Sequence, residues 1–287
     1  MAANQLHHSI KMMLKQHSKG SFQTQNKREV ELLQMSDDLK KSGFILTHVN
    51  GLKPKHIELL NNLWKTRDYS AGTMKNKNVQ LRWWAATIGK ENIMPSNDEL
   101  GLERRVYVSH INKAIEIPTN TDIDPTMKVY LQLQRHLGLR REEAIKLKPH
   151  IADKGTQLEL QGSWTKGGRP RSVPITTPEA REAVNQAKLL AETKASSLIP
   201  STKSYVQQLN FYKYQLTKLK IRHAHGLRHA YAQDLYKSLT GWECPVRGGL
   251  QSKDMTSEQK ESDREARLQI SLYLGHSRIS IVAQYCN

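Results

Sequence analysis

The stretch HGLRHAYAQDLYKSL, residues 225–239, places leucine or tyrosine at every fourth position: Leu227, Tyr231, Leu235 and Leu239. A step of four keeps to one helical face, so these residues form an apolar stripe that seats a helix in a core. His225 and Arg228, three apart, share another face at the helix start. There unpaired backbone N–H groups and the helix dipole favour an anion. Taken alone, a His-x-x-Arg pair is an ordinary capping or salt-bridging feature, and its meaning depends on its company.

Upstream, GLRREEAIKLKP (138–149) predicts a helix begun near Gly138 and stopped by Pro149. Its Leu139, Ala144, Ile145 and Leu147 supply a buried side, and Arg140 stands at its start, one turn before Glu143. The stretches TQLELQGSW and SVPIT, joined by TKGGRPR, predict a β-hairpin. Lys166 sits at its mouth, and Arg169 and Arg171 make the turn basic. Downstream, in LGHSRISIVAQYCN (274–287), Ile279, Val282, Ala283 and Cys286 recur at i, i+3, i+4, i+7, an amphipathic pattern flanked by Tyr285. A straight helix would part His276 from Tyr285 by roughly 13 Å. Gly275 is the natural break, leaving His276 in a turn and letting a short new helix fold Tyr285 back.

Lys and Arg number 44 against 27 Asp and Glu, a formal charge of +17. The excess is shared: 17 basic against 10 acidic residues in 1–110, and 27 against 17 in 111–287. Such a distribution suits a polyanion met by both halves, with nucleic acid the leading partner. Two cysteines, Cys244 and Cys286, in no zinc spacing support neither a disulfide framework nor a structural metal. No apolar run has the length of a membrane span, and residues 1–20 lack a signal-peptide core, so a cytosolic, nucleoid-associated protein is expected. The lack of a Walker-type or GxGxxG loop argues against a nucleotide-driven motor.

Two domains are expected at 287 residues. Residues 1–26 read as an N-terminal arm, residues 27–106 as a small helical domain, and residues 107–124, rich in Pro, Thr, Asn and Asp, as a linker. Residues 125–287 form a second domain, mostly α with a small β-sheet, interrupted at about 240–266 by an exposed, Gly- and charge-rich insertion. In the helical domain, SAGTMKNKNVQLRWWA sets Thr73, Lys75, Lys77 and Arg82 beside Trp83 and Trp84, so one face is expected to meet phosphates while the other buries indole.

In chain order, Arg140, Lys166, His225 with Arg228, His276 and Tyr285 resemble the tyrosine recombinase family, the phage-type integrases of mobile elements and the chromosome-dimer resolvases. The matching stretches are GLRREEA, TKGGRPRSVPI, HGLRHAYA, LGHS and IVAQYC, with nine residues from His276 to Tyr285. The resemblance implies a SAM-like core-binding domain followed by a catalytic domain. It implies Tyr285 as nucleophile, Arg140 and Arg228 as a phosphate clamp, Lys166 as proton donor, His225 and His276 orienting the phosphate and moving the tyrosine proton, and Glu143 supporting them. Thr73, Lys75, Lys77, Arg82, Arg169 and Arg171 would contact DNA. The partner implied is double-stranded DNA held by a homotetramer on synapsed sites, helped by accessory DNA-bending proteins, with no metal, cofactor or membrane.

Two departures stand out. The step from Arg228 to His276 is 48 residues, about twice the family's habit. Many relatives continue past the nucleophile into a segment that docks on the next protomer, whereas here two residues follow Tyr285; the expectation is that neighbours are contacted differently or that the sequence is cut short. The same-chemistry rival is a type IB topoisomerase-like enzyme. The rival from another class is a DNA-binding regulator that keeps the fold and does not cut.

Overall fold

A computed structural model describes residues 2–105, 107–119, 122–165 and 167–287. The chain divides into two compact units, Met1–Val106 and Tyr107–Asn287. No helix among the described residues is long and apolar enough to cross a membrane.

The first unit is built from four helices: α1 (Ala2–Gln16), α2 (Phe22–Lys41), α3 (Pro54–Thr66) and α4 (Ala71–Thr87). Each carries a stripe at helical spacing into one core, with Leu32, Leu39, Trp64 and Trp84 wholly buried. The Trp84 indole N–H donates to Val49 O at 3.1 Å, which settles its polar atom inside that core. Residues 1–26 do not form a separate arm. Leu6, Ile10 and Met13 fall at i, i+4, i+7 and bury against α2, and Ser9 Oγ accepts from Val49 N at 3.1 Å. The polar run around Gly20 is only the loop between α1 and α2, closed by Ser21 as the N-cap of α2.

The second unit holds α5 (Pro125–Leu137), α6 (Arg141–Lys146), α7 (Pro149–Ala152), β1 (Gln157–Leu160), β2 (Arg171–Pro174), α8 (Pro178–Leu190), α9 (Tyr205–Lys218), α10 (His225–Thr240), α11 (Ser257–Tyr273) and α12 (Ala283–Cys286). Strands β1 and β2 pair antiparallel, Leu160 opposite Arg171, so Arg171 belongs to a strand and not to the turn. Helix α5 packs between α8 and α10 around an apolar core that includes Leu131, Leu133 and Leu137. A second cluster gathers α10, α11 and α12 around Tyr236, Ile270, Leu274 and Val282.

The expected insertion at 240–266 is not an open excursion. Its second half is the start of α11, opened by a capping box in which Thr256 and Gln259 satisfy each other's backbone N–H. The T-S-E-Q signature stands in the sequence, but its surroundings are too charged to show an apolar stripe. In its first half Cys244, Pro245 and Met255 are buried. The C-terminal stretch also differs from the expected single helix: residues Ile279–Val282 form a 3-10 turn that leads into α12, and Tyr285, expected beside the stripe, is itself buried.

Trp84→Ala empties one of the two tryptophan positions wholly buried in the core of the first unit and removes the indole donor from Val49 O. It should cost the first unit about 3–5 kcal/mol, read as an earlier denaturant midpoint by tryptophan fluorescence, with secondary structure of the second unit retained.

Candidate active site

The end of α11 presents three successive backbone carbonyls with no partner in their own helix, as helix C-termini do. Three guanidinium groups take them. Arg171 Nε donates to Tyr273 O at 2.8 Å, Arg228 Nη2 donates to Leu274 O, and Arg140 Nη2 donates to Gly275 O at 3.1 Å. Cations at a helix C-terminus also oppose its dipole favourably. Arg228 Nη1 donates to Gly138 O, so the α5–α6 corner and the α11 end meet on one side chain.

The carboxylate of Glu143 binds this group from behind. It accepts from Arg140 N at 2.6 Å, Arg140 Nη1 at 2.8 Å, and both terminal nitrogens of Arg171 at 2.7 Å. Glu143 is 0% exposed. Burial alone would raise its pKa, but the hydrogen bonds and charge of Arg171, with the charges of Arg140 and Arg228, outweigh it and hold the carboxyl down at about 2.

Gly275 then turns the chain with φ +65°, and a Cβ there would come within 2.8 Å of Arg171 Cδ. The turn sets His276 beside Tyr285, their ring centroids 5.6 Å apart. Tyr285, only 5% exposed, brings its hydroxyl to 3.3 Å from His225 Nε2 and 3.4 Å from Arg228 Nε. A third histidine, His229, packs on the tyrosine ring at 4.5 Å. The sequence reading missed it, although His229 lies one helical turn after His225, a spacing that would have flagged it.

The histidines are uncharged at neutral pH. Burial first, then the charges of Arg228 and Arg140, lower His225 to about 4 and His276 to about 3, with Arg171 adding to the latter. Burial, then His225, Lys113 and Arg228, lower His229 to about 4. A neutral imidazole has one ring nitrogen free to accept, so His225 Nε2 can take the Tyr285 proton while the Arg228 N–H faces the same oxygen. Burial also lowers Arg228, to about 10, which leaves it a cation at neutral pH. His276 Nε2 is buried and has no hydrogen-bond partner among the described residues.

Arg140, Glu143, His225, Arg228, His276 and Tyr285 thus converge, while Lys166 lies outside the described residues. Arg228 is not free to point outward as expected: it is 0% exposed. The residues expected on DNA divide. Thr73 and Arg169 are exposed and Lys75 is half-buried. Lys77 is a buried structural cation, paired with Glu31 at 2.7 Å and set near the rings of Trp64 and Tyr69. Arg82 donates to Pro95 O and Asn97 Oδ1, both at 3.0 Å, tying down the chain after α4. Arg171 is spent on Glu143 and Tyr273. In each case the strand or helix phase turns the cation inward to a partner that the local sequence does not show.

The sequence matches the family model described as phage integrase, N-terminal, over residues 3–94 and the model described as integrase over residues 101–234. The second match takes in Arg140 to Arg228 and stops before His276 and Tyr285. No curated protein matches. Among solved structures, the chain is similar to the Tn1549 transposon integrase in complex with circular intermediate DNA, at 13% identity over 98% of this chain and 94% of that one, TM-score 0.57. It is also similar to the XerH site-specific recombinase bound to palindromic difH substrate in a post-cleavage complex, at 17% identity over 96% and 79%, TM-score 0.57. At these identities the likeness is one of fold.

Two outcomes follow from the electrostatics. Glu143→Gln leaves buried arginines short of a counter-charge and should destabilise the second unit by about 3–5 kcal/mol, measured by urea denaturation. Because His225, His229 and His276 titrate below their usual 6.5 when folded, the unfolded chain binds more protons, and stability present above pH 6.5 is lost as pH falls towards about 4 and, for His276, about 3. Thermal melts from pH 7 to 4 should show that decline, and His276→Asn should flatten part of it; an equal slope in the variant would contradict the assignment.

Proposed function

The chain belongs to the tyrosine recombinase family of phage-type integrases, and on that premise we propose that it cuts and rejoins duplex DNA at specific sites through a 3′-phosphotyrosyl intermediate on Tyr285. The observation that carries this reading is the Tyr285 hydroxyl between a neutral His225 Nε2 and the Arg228 Nε–H. A phosphodiester resists attack because its charge repels nucleophiles and its leaving alkoxide is poor. Removing the phenol proton to His225, with Arg228 facing the oxygen, supplies the nucleophile.

In this scheme the phenolate oxygen attacks phosphorus, the P–O5′ bond breaks, and the departing 5′ oxygen takes a proton from Lys166. Arg140, part-exposed at the edge of the group, meets the non-bridging oxygens first, and its planar fork suits that task better than a lysine's point charge. His276, with its unmet Nε2, is a further donor or acceptor for the phosphate. Rejoining reverses these steps with a new 5′ hydroxyl, so no metal or cofactor is called for.

The formal charge of +17 supports a DNA partner, with Thr73, Lys75 and Arg169 the phosphate contacts retained from the sequence reading. Integration or excision of a mobile element is the biological role proposed, supported by the fold shared with the Tn1549 transposon integrase, and a homotetramer on two synapsed sites is the proposed assembly.

The test is a nicked suicide substrate carrying the element's end sequence, incubated with wild type and Tyr285→Phe and resolved on a denaturing gel. A slow-migrating protein–DNA adduct is expected in the wild type alone, while gel-shift binding survives the substitution. Lys166→Ala should slow cleavage of an ordinary phosphodiester by roughly 10²–10⁴-fold and far less when the leaving group is a 5′-thiolate, which needs no proton; failure of the thiolate to rescue would remove Lys166 from the donor role.

A further inference from the structure

Nothing in the chemistry above accounts for residues 241–256, the first half of the segment that lengthens the step from Arg228 to His276. Those residues fold back on α10. Cys244 is wholly buried in the cluster that also holds Val282, Tyr285 and Cys286. Three residues on, Arg247 closes a 3-10 turn and sends its side chain to α10, where Nε donates to Gln233 Oε1 at 2.7 Å and Nη1 to Asp234 Oδ1 at 2.7 Å. Asp234 is also paired with Arg135 at 2.7 Å, so Arg247 joins a network that already includes α5.

Gln233 is 0% exposed and makes three hydrogen bonds. Its oxygen accepts from Arg247, and its Nε2 donates to Asn112 Oδ1 at 3.0 Å and to the backbone carbonyl of Tyr285 at 2.9 Å. Because a guanidinium only donates and a backbone carbonyl only accepts, Arg247 and the Tyr285 carbonyl agree on one orientation of the amide, with its oxygen at Arg247 and its NH2 group at Tyr285. A buried amide with one defined orientation is a stiff link, since rotating it would strand polar atoms away from water. The hold acts on the main chain of Tyr285, whereas His225 and Arg228 act on its hydroxyl.

We infer that Gln233 and Arg247 are positioning residues for Tyr285: the 241–256 segment reaches the nucleophile through them and fixes the backbone from which the phenol projects. The inference rests on the reading of Tyr285 as the nucleophile. Without Arg247 the buried Gln233 oxygen loses its donor, the amide is held from one side only, and its grip on the 279–287 stretch loosens. Neither residue touches the phenol oxygen, so the effect belongs to presentation and not to DNA affinity.

The experiment compares the full chain with Arg247→Ala, Arg247→Lys and Gln233→Met. Hydrogen exchange is followed in peptides covering 279–287 and, as an internal control, α9, while single-turnover adduct formation is measured at saturating suicide substrate. Arg247→Ala and Gln233→Met should speed exchange in 279–287 about tenfold or more with α9 unchanged. The adduct rate should fall roughly 10- to 100-fold while the Kd for DNA moves by less than about twofold. Arg247→Lys, which keeps a donor and a charge, should recover part of the rate. Faster exchange throughout the second unit, or an unchanged adduct rate beside local loosening, would overturn the inference. If the wild type forms no adduct on DNA it binds, local loosening in the variants would still support the hold and only the nucleophile reading would fall; absence of loosening would overturn the hold as well.

Discussion

Three carbonyls at the end of α11, Tyr273, Leu274 and Gly275, are each held by a different arginine, and two of those arginines, Arg140 and Arg171, are paired with one carboxylate, Glu143. The rest of the second unit is arranged around this knot. It draws together α6 through Arg140, β2 through Arg171, and α10 through Arg228, elements far apart in the chain. Three buried or part-buried cations so close would repel one another without a counter-charge, and the buried carboxylate of Glu143, its pKa held down by them, supplies one. Glu143 is the most sensitive member of the set: it is shared by Arg140 and Arg171, so losing one arginine leaves the carboxylate the other, whereas losing the carboxylate leaves the buried Arg171 without a counter-charge.

The same positive surroundings explain the state of the histidines. Around the Tyr285 ring stand His225, His229 and His276, and each is kept neutral by burial and by the nearby arginines. A protonated imidazole would add charge to a region that already has too much. The tyrosine oxygen therefore faces an acceptor on one side and a guanidinium donor on the other, a polarised setting for a phenol. Loss of any arginine would change the protonation of its neighbours as well as the local charge.

The first unit stabilises itself by other means. Its core is aromatic and aliphatic, the buried Lys77 is paired with Glu31, and the buried carboxylate of Asp38 is paired with the exposed Arg67. The N-terminal helix α1 completes that core by covering the open side of α2, which is why an apolar i, i+4, i+7 stripe occurs in a stretch that otherwise reads as a polar leader. Basic composition alone does not separate a cation that faces solvent from one that packs under a tryptophan.

By itself the sequence determined the elements and most of the site's membership. Four-residue recurrence marked α10, the Gly138 start and Pro149 stop marked α6, and the glycine turn marked the hairpin, because these signals are local and act within one or two turns of backbone. The glycine between Leu274 and His276 foretold that the chain folds Tyr285 back beside His276, since a straight helix would hold them apart. Tertiary structure alone decided the partners. That Arg171 faces Glu143 and not solvent follows from its register opposite Leu160, that Lys77 pairs with Glu31 follows from how α2 meets α4, and that His229 stacks on Tyr285 follows from where α12 lies against α10. Those contacts join residues tens of positions apart, and the energy of each depends on burial and direction. Neither quantity is written in a residue's type or its spacing from its neighbours; both exist only once the chain has closed around them.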